Sequence, residues 1–282
     1  MSVVTKTLIN GRYACSISCD DRGLAYGDGL FETIKVSAGN VEYLREHLQR
    51  LALGCKRLRI NCDNQLLYQE INQLLLVNNV SQAVIKVMVT RGHCGRGYKP
   101  DFDVEANRII SLESLSVDYS RQQNLGVKVR LCDTRLSVNP SLAGLKHLSR
   151  IENVLARSEW DDADIAEGLL LDVDGRLVEG TMSNLFLVKD GTLLTPSLHR
   201  CGVEGVIRKV ILGRVLPALQ LPFAVTDLVV EDIYHAQELF LCNSLMGVWP
   251  VIAVGCHKKS VGSVTLTIQR ALTADLHMKT AM

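Results

Sequence analysis

The stretch Asn139-Pro140-Ser141-Leu142-Ala143-Gly144-Leu145-Lys146-His147-Leu148-Ser149-Arg150 decides how the chain is read. Asn139-Pro140 and Ala143-Gly144 are loop signals. Behind the lysine, Leu148, Ile151, Val154 and Leu155 recur at helical spacing, so a helix is expected to start close after Lys146 and to end near Trp160. A lysine between a loop and a helix is usually a solvated side chain. One that is desolvated, or set beside another cation, loses its proton and becomes a nucleophile able to form an imine. The rest of the chain decides between the two.

Working outward, hairpins are common. Thr7–Asn10 and Tyr13–Ile17 suggest a first pair of strands, Ile34–Val36 and Val41–Leu44 a second, and Gly168–Asp172 with Arg176–Glu179 a third around Asp174-Gly175. Helices are expected over 45–59, 64–77, about 206–216, 230–236 and 266–278, and alternating strands over Ala83–Thr90, 107–115 and 126–134. Asp161–Glu167 reads as an acidic loop. Strands and helices do not alternate steadily, which argues for an α+β protein with mixed or antiparallel sheets and flanking helices. The polar, unpatterned segment 116–125 is taken as a linker between a smaller N-terminal domain, 1–115, and a larger C-terminal domain, 126–282.

The bulk properties exclude several classes. The 282 residues carry a net charge of +1, which favours neither nucleic acid nor an anionic membrane as partner. No apolar run approaches the ~20 residues of a membrane helix. The nine cysteines lack a paired rhythm, and nothing before Lys6 resembles a secretory leader, so reduced thiols and a cytoplasmic location are expected. Cys15 and Cys19 have no second pair or nearby histidine, and no metal site is expected. A Gly-x-Ser-x-Gly elbow, a Walker loop and a dinucleotide fingerprint are all absent.

Three features point to a phosphorylated aldehyde cofactor. Lys146 supplies an amine. Glu179 ends a strand and opens a loop, where a carboxylate can keep a pyridine nitrogen protonated. Gly205-Val206-Ile207-Arg208 opens a helix whose first N–H groups suit a phosphate, and Arg50 could add a fixed charge.

Tyr26-Gly-Asp-Gly-Leu-Phe-Glu-Thr33, His47-Leu-Gln-Arg-Leu51, Lys146, Glu179-Gly-Thr-x-x-Asn184 and Gly205-Val-Ile-Arg208 resemble the fold-type IV pyridoxal-phosphate enzymes in order and spacing over nearly the whole chain. That family includes branched-chain and D-amino-acid aminotransferases and 4-amino-4-deoxychorismate lyases. The segments Arg91–Tyr98, Asn139–Arg150 and Cys242–Pro250 are most similar to the bacterial lyases, although those often carry another pair where Phe31-Glu32 stands, and Leu145 and Ser149 vary around the lysine.

The resemblance implies a two-domain fold, pyridoxal 5'-phosphate as cofactor and a homodimer. It implies that Lys146 holds the cofactor aldehyde and that Glu179 pairs with the ring nitrogen. Arg50, the amides of Val206 and Ile207, and Ser244 would take the phosphate. Arg96, Tyr98, Phe31 and Asn243 would meet the substrate, with Lys99 or Arg91 adding charge at the mouth. The implied reaction cleaves 4-amino-4-deoxychorismate to 4-aminobenzoate and pyruvate in folate biosynthesis. The alternatives are a fold-type IV branched-chain or D-amino-acid aminotransferase and, outside enzymes, a binding module that kept the fold.

Overall fold

The computed structural model describes residues 7–95, 97–115 and 117–280. By contacts the chain forms two compact units, one of residues 1–116 with 145–149, the other of 117–144 with 150–282.

The first unit is built on β1 (Thr7–Ile9), β2 (Arg12–Tyr13), α1 (Arg22–Tyr26), β3 (Gly29–Ser37), β4 (Asn40–Val41), α2 (Leu44–Leu58), α3 (Asn64–Asn78), β5 (Gln82–Thr90) and β6 (Asn107–Ser114). Its antiparallel sheet has the order β2-β1-β6-β5-β3-β4. Alternation places Ile34 and Val36 of β3, and Ile85, Val87 and Val89 of β5, on the buried face. Helix α2 buries His47, Leu51, Gly54 and Cys55, one stripe at helical spacing. A Cβ on Gly54 would stand 2.7 Å from Leu30 Cδ1, so this glycine lets the helix lie close on β3. Burying Leu51 contributes about 2 kcal/mol. Asp63 caps α3 by accepting from the Gln65 N–H at 2.7 Å.

The second unit contains α4 (Ser120–Leu125), β7 (Val127–Leu136), α5 (Ile151–Arg157), β8 (Ile165–Asp172), β9 (Arg176–Gly180), β10 (Asn184–Lys189) and β11 (Thr192–Pro196). Next, α6 (Val206–Val210) runs through a π-helical turn (Ile211–Val215) into α7 (Leu216–Leu219). The turn lies just ahead of Pro217, whose ring crowds the carbonyl four residues back and removes a donor. The rest is β12 (Phe223–Thr226), β13 (Leu228–Val229), α8 (Val230–His235), β14 (Glu238–Asn243), β15 (Gly247–Val254), β16 (His257–Lys258) and α9 (Ser263–Thr280). The sheet order is β12-β11-β10-β14-β15-β7-β8-β9-β13, with β16 on β15. The β11–β12, β15–β7 and β7–β8 pairs are parallel and the others antiparallel, the mixed sheet expected of an α+β chain. The core includes Val129, Leu169, Leu185, Leu241 and Val251. Phe186 and Phe240 stack at 4.9 Å on neighbouring strands.

Three local expectations need correction. Leu148, counted in the helical spacing, lies ahead of the helix. Phe31 N–H donates to the Lys146 carbonyl and Leu148 N–H to the Gly29 carbonyl, each at 3.0 Å, so the segment lies along β3, and α5 begins only at Ile151. Ile151, Val154 and Leu155, whose spacing marked the helix, are 65%, 56% and 56% exposed. The stretch 116–125 contains α4, and Tyr119 packs on Trp249 at 5.6 Å. Asp161–Glu167 ends inside β8, with Glu167 fully buried.

Candidate functional site

In the first unit the lysine is fixed through its main chain. Two glycines make room for it. A Cβ on Gly27, whose φ is +67°, would stand 2.2 Å from Ser149 Oγ, and one on Gly29 would stand 2.4 Å from the Val89 carbonyl and 2.7 Å from Leu148 Cδ1. Thus Tyr26-Gly-Asp-Gly29 is the surface on which residues 146–149 lie. The Lys146 Nζ is 4.2 Å from the centre of the Phe31 ring, a cation–π distance, so the two residues expected at the chemistry meet.

Arg50 stands on α2 and grips Glu32 with its fork, Nε to Oε1 at 2.8 Å and Nη2 to Oε2 at 2.5 Å. His47 Nδ1 lies 2.6 Å from the same carboxylate. Burial pushes the Glu32 carboxyl up, but the Arg50 charge and hydrogen bonds from His47 and Arg50 outweigh it and hold it at about 2. Burial holds His47 below the ordinary histidine range against the pull of Glu32, and Arg50 and Lys146 lower it further. A neutral ring beside a carboxylate carries its proton on Nδ1 and donates it. Nε2 is then a buried acceptor with no hydrogen-bond partner among the described residues.

Arg91, expected near a substrate mouth, is buried and committed. It donates to Asp28 at 2.8 and 3.1 Å, and to the Leu58 and Arg59 carbonyls at 2.7 Å each. Tyr98 is exposed, and Arg96 lies outside the described residues.

In the second unit Glu179 is buried near the end of β9 and Asn184 opens β10. Glu179 Oε2 accepts from Val203 N–H at 2.9 Å and Asn184 Nδ2 at 3.4 Å. The same carboxamide donates to the Val203 carbonyl at 2.9 Å and accepts from Gly205 N–H at 3.1 Å. A Cβ on Gly205 would stand 2.0 Å from Asn184 Oδ1, so glycine is required there. Gly205 caps α6 without a side chain. The first N–H groups of the helix, including Val206 and Ile207, are left by helix geometry without intrahelical acceptors, as an anion site requires. Arg208 is buried nearby in sequence, donates to the Pro196 carbonyl at 3.0 Å, and is lowered by burial.

Glu167 escaped the sequence reading. Its carboxylate accepts from the N–H groups of Gly168, Thr181 and Met182 at 2.9, 3.1 and 3.1 Å, from Ser183 Oγ at 2.8 Å, and from the Thr181 hydroxyl. It therefore sets the turn that joins Glu179 to Asn184. Ser244 stands in a turn built by Asn243, whose Oδ1 accepts from Leu245 and Met246 at 2.9 Å and whose Nδ2 donates to the Met182 carbonyl at 3.0 Å. In the structure the Asn243 amide serves that turn.

The family model described as amino-transferase class IV matches residues 29–254. An aminodeoxychorismate lyase of Vibrio harveyi is 35% identical over 270 residues, 95% of this chain and 98% of that protein. The crystal structure of 4-amino-4-deoxychorismate lyase from Pseudomonas aeruginosa is 47% identical, with a TM-score of 0.91 over 96% of this chain and 99% of that one. A putative branched-chain-amino-acid aminotransferase of Methanocaldococcus jannaschii is 31% identical over 92% of each chain. With the motifs ordered as they are and a family match of this extent, the chain belongs to the class IV aminotransferase family.

Proposed function

We propose that the protein is a 4-amino-4-deoxychorismate lyase that forms 4-aminobenzoate and pyruvate with pyridoxal 5'-phosphate in folate biosynthesis. The observation that carries the reading is Lys146, bound to β3 through its main chain with its amine over Phe31, in a chain 47% identical to the Pseudomonas aeruginosa lyase. The residues fit the cofactor. A buried carboxylate, Glu179, suits a protonated ring nitrogen. The uncapped start of α6 at Val206 and Ile207 suits a phosphate.

When bound, the cofactor supplies an aldehyde for the substrate amine and a ring that withdraws electrons from the carbon bearing it. The rest falls to the chain. Lys146 takes the proton from that ring carbon. The carbon–oxygen bond to the enolpyruvyl group breaks, its electron pair leaves on oxygen, and the ring becomes aromatic. The protonated lysine then gives its proton to the enol carbon, which completes pyruvate. One group acts first as base and then as acid. Glu179 would keep the ring nitrogen of the bound cofactor protonated. Phe31, Tyr98 and Arg96 are assigned to the substrate, and a guanidinium suits its carboxylates.

A class IV aminotransferase is the second reading, favoured by the 31% identical relative. Mixing the purified protein with aminodeoxychorismate separates the two. Release of 4-aminobenzoate and pyruvate without a keto-acid acceptor supports the lyase, whereas amino transfer only with an acceptor overturns it.

The reading includes a cytoplasmic homodimer. The exposed Ile151, Val154 and Leu155 face of α5 supports a second copy as partner, which sedimentation tests. No helix among the described residues is long and apolar enough to cross a membrane.

A further inference from the structure

Arg22 is a buried arginine that the reaction does not use, at the start of a five-residue helix. Each of its three guanidinium nitrogens donates a hydrogen bond. Nε donates to Asp28 Oδ2 at 2.9 Å, Nη1 to the Gly97 carbonyl at 2.6 Å, and Nη2 to the Tyr98 carbonyl at 3.1 Å. The plane also lies 4.8 Å from the Tyr26 ring centre. The Tyr26 ring in turn meets the Tyr98 ring at 5.4 Å and 57°. Arg22 therefore holds Tyr98 twice, by its main-chain carbonyl and through the ring of Tyr26.

What it holds is unusual. Tyr98 is 86% exposed and Tyr26 43% exposed, so two aromatic faces are presented outward from a turn with little packing of its own. The anchor beneath them is rigid. Asp28 accepts from both Arg22 and Arg91, and Arg91 is itself fixed to the end of α2. Burial raises the Asp28 carboxyl, but the two arginines outweigh it and keep it below its usual range, so the cluster stays ionised at neutral pH.

We propose that Arg22 is a positioning residue for substrate recognition: it latches the Gly97-Tyr98 turn so that Tyr98 and Tyr26 present a fixed two-ring wall to a flat, cyclic, anionic substrate. The proposal rests on the assignment of Tyr98 to the substrate in the functional reading. Only a planar fork reaches Asp28 and both carbonyls at once. Lysine keeps the charge but lacks the fork. Asp28 keeps Arg91 in either case, so the anchor survives the substitution.

Arg22→Lys in the holoenzyme is the test, in three measurements. Chymotrypsin cleavage after Tyr98, followed by mass spectrometry, should quicken about tenfold, since a lost charge-assisted hydrogen bond frees the turn by that factor. The KM for aminodeoxychorismate should rise about tenfold while kcat stays within about threefold and cofactor affinity is unchanged. On a Tyr98→Ala background, Arg22→Lys should add nothing further to KM. Unchanged cleavage overturns the latch. A KM effect that persists in full without Tyr98, or a fall in kcat with loss of cofactor, also overturns it, because either makes Arg22 a support of something else. If the wild type releases no 4-aminobenzoate, the functional reading fails, and the cleavage rates still decide whether Arg22 holds the turn.

Discussion

Glu32 and Glu167 are both fully buried carboxylates, and they are satisfied in opposite ways. Glu32 lies between an arginine fork and a histidine. Glu167 accepts three main-chain N–H groups and two hydroxyls. One is balanced by charge and ties an arginine in place. The other is balanced by dipoles and ties a turn in place. A buried charge is expensive unless paired or richly hydrogen-bonded, and these two carboxylates use one remedy each.

The largest effect tests which region carries the reaction. Lys146→Ala should lower 4-aminobenzoate release by roughly three to four orders of magnitude and remove the visible absorption of bound cofactor. Retention of both would detach the chemistry from this lysine.

Glu32→Gln comes next, because it leaves Arg50 without its carboxylate. Urea unfolding at neutral pH should show a loss of about 3 kcal/mol. The pH dependence has a definite sign. The folded pKa of Glu32, about 2, lies below the ordinary 4.5, so its contribution is present above 4.5 and is lost as pH falls toward 2. The variant should lack that part of the acid slope, and an identical slope in both proteins would contradict the ion-paired description.

Glu167→Gln sharpens the contrast. An amide turns one acceptor into a donor, facing the Met182 N–H or the Ser183 hydroxyl. The expected cost is about 2 kcal/mol in the same urea experiment. Gly205→Ala is the smallest. Its Cβ displaces Asn184 Oδ1, and cofactor titration should show affinity weakened about tenfold at unchanged helix content.

The two carboxylates also differ in how far the sequence reveals them. The Glu32 cluster is written as a motif, because His47 and Arg50 sit three apart on one helical face and α2 carries both to β3. Lys146, Glu179 and Gly205-Val206-Ile207 are legible for a similar reason: each stands at a loop, strand or helix boundary that glycines mark. Glu167 is not legible. It ends the acidic run from Asp161, which looks solvated, and only the pairing of β8 with β7, where Glu167 lies opposite Val129, turns it inward. Arg91 misled in the opposite sense. Beside a glycine-rich loop it resembled a substrate arginine, yet Asp28 and two helix-end carbonyls claim it. The apolar run of α5 had the right period, but no periodicity tells which face a helix presents to its own chain.

The strand-like pairing of residues 146–148 with the start of β3 has a consequence for the newly made chain. β3 is synthesised early, but the segment that completes its edge arrives only after most of the first unit and the first strand of the second have been made. A contact between positions so distant along the chain carries a large loop-closure entropy and forms late. The Lys146 amine therefore meets the Phe31 ring near the end of folding. A nascent or partly folded chain holds an ordinary solvated lysine.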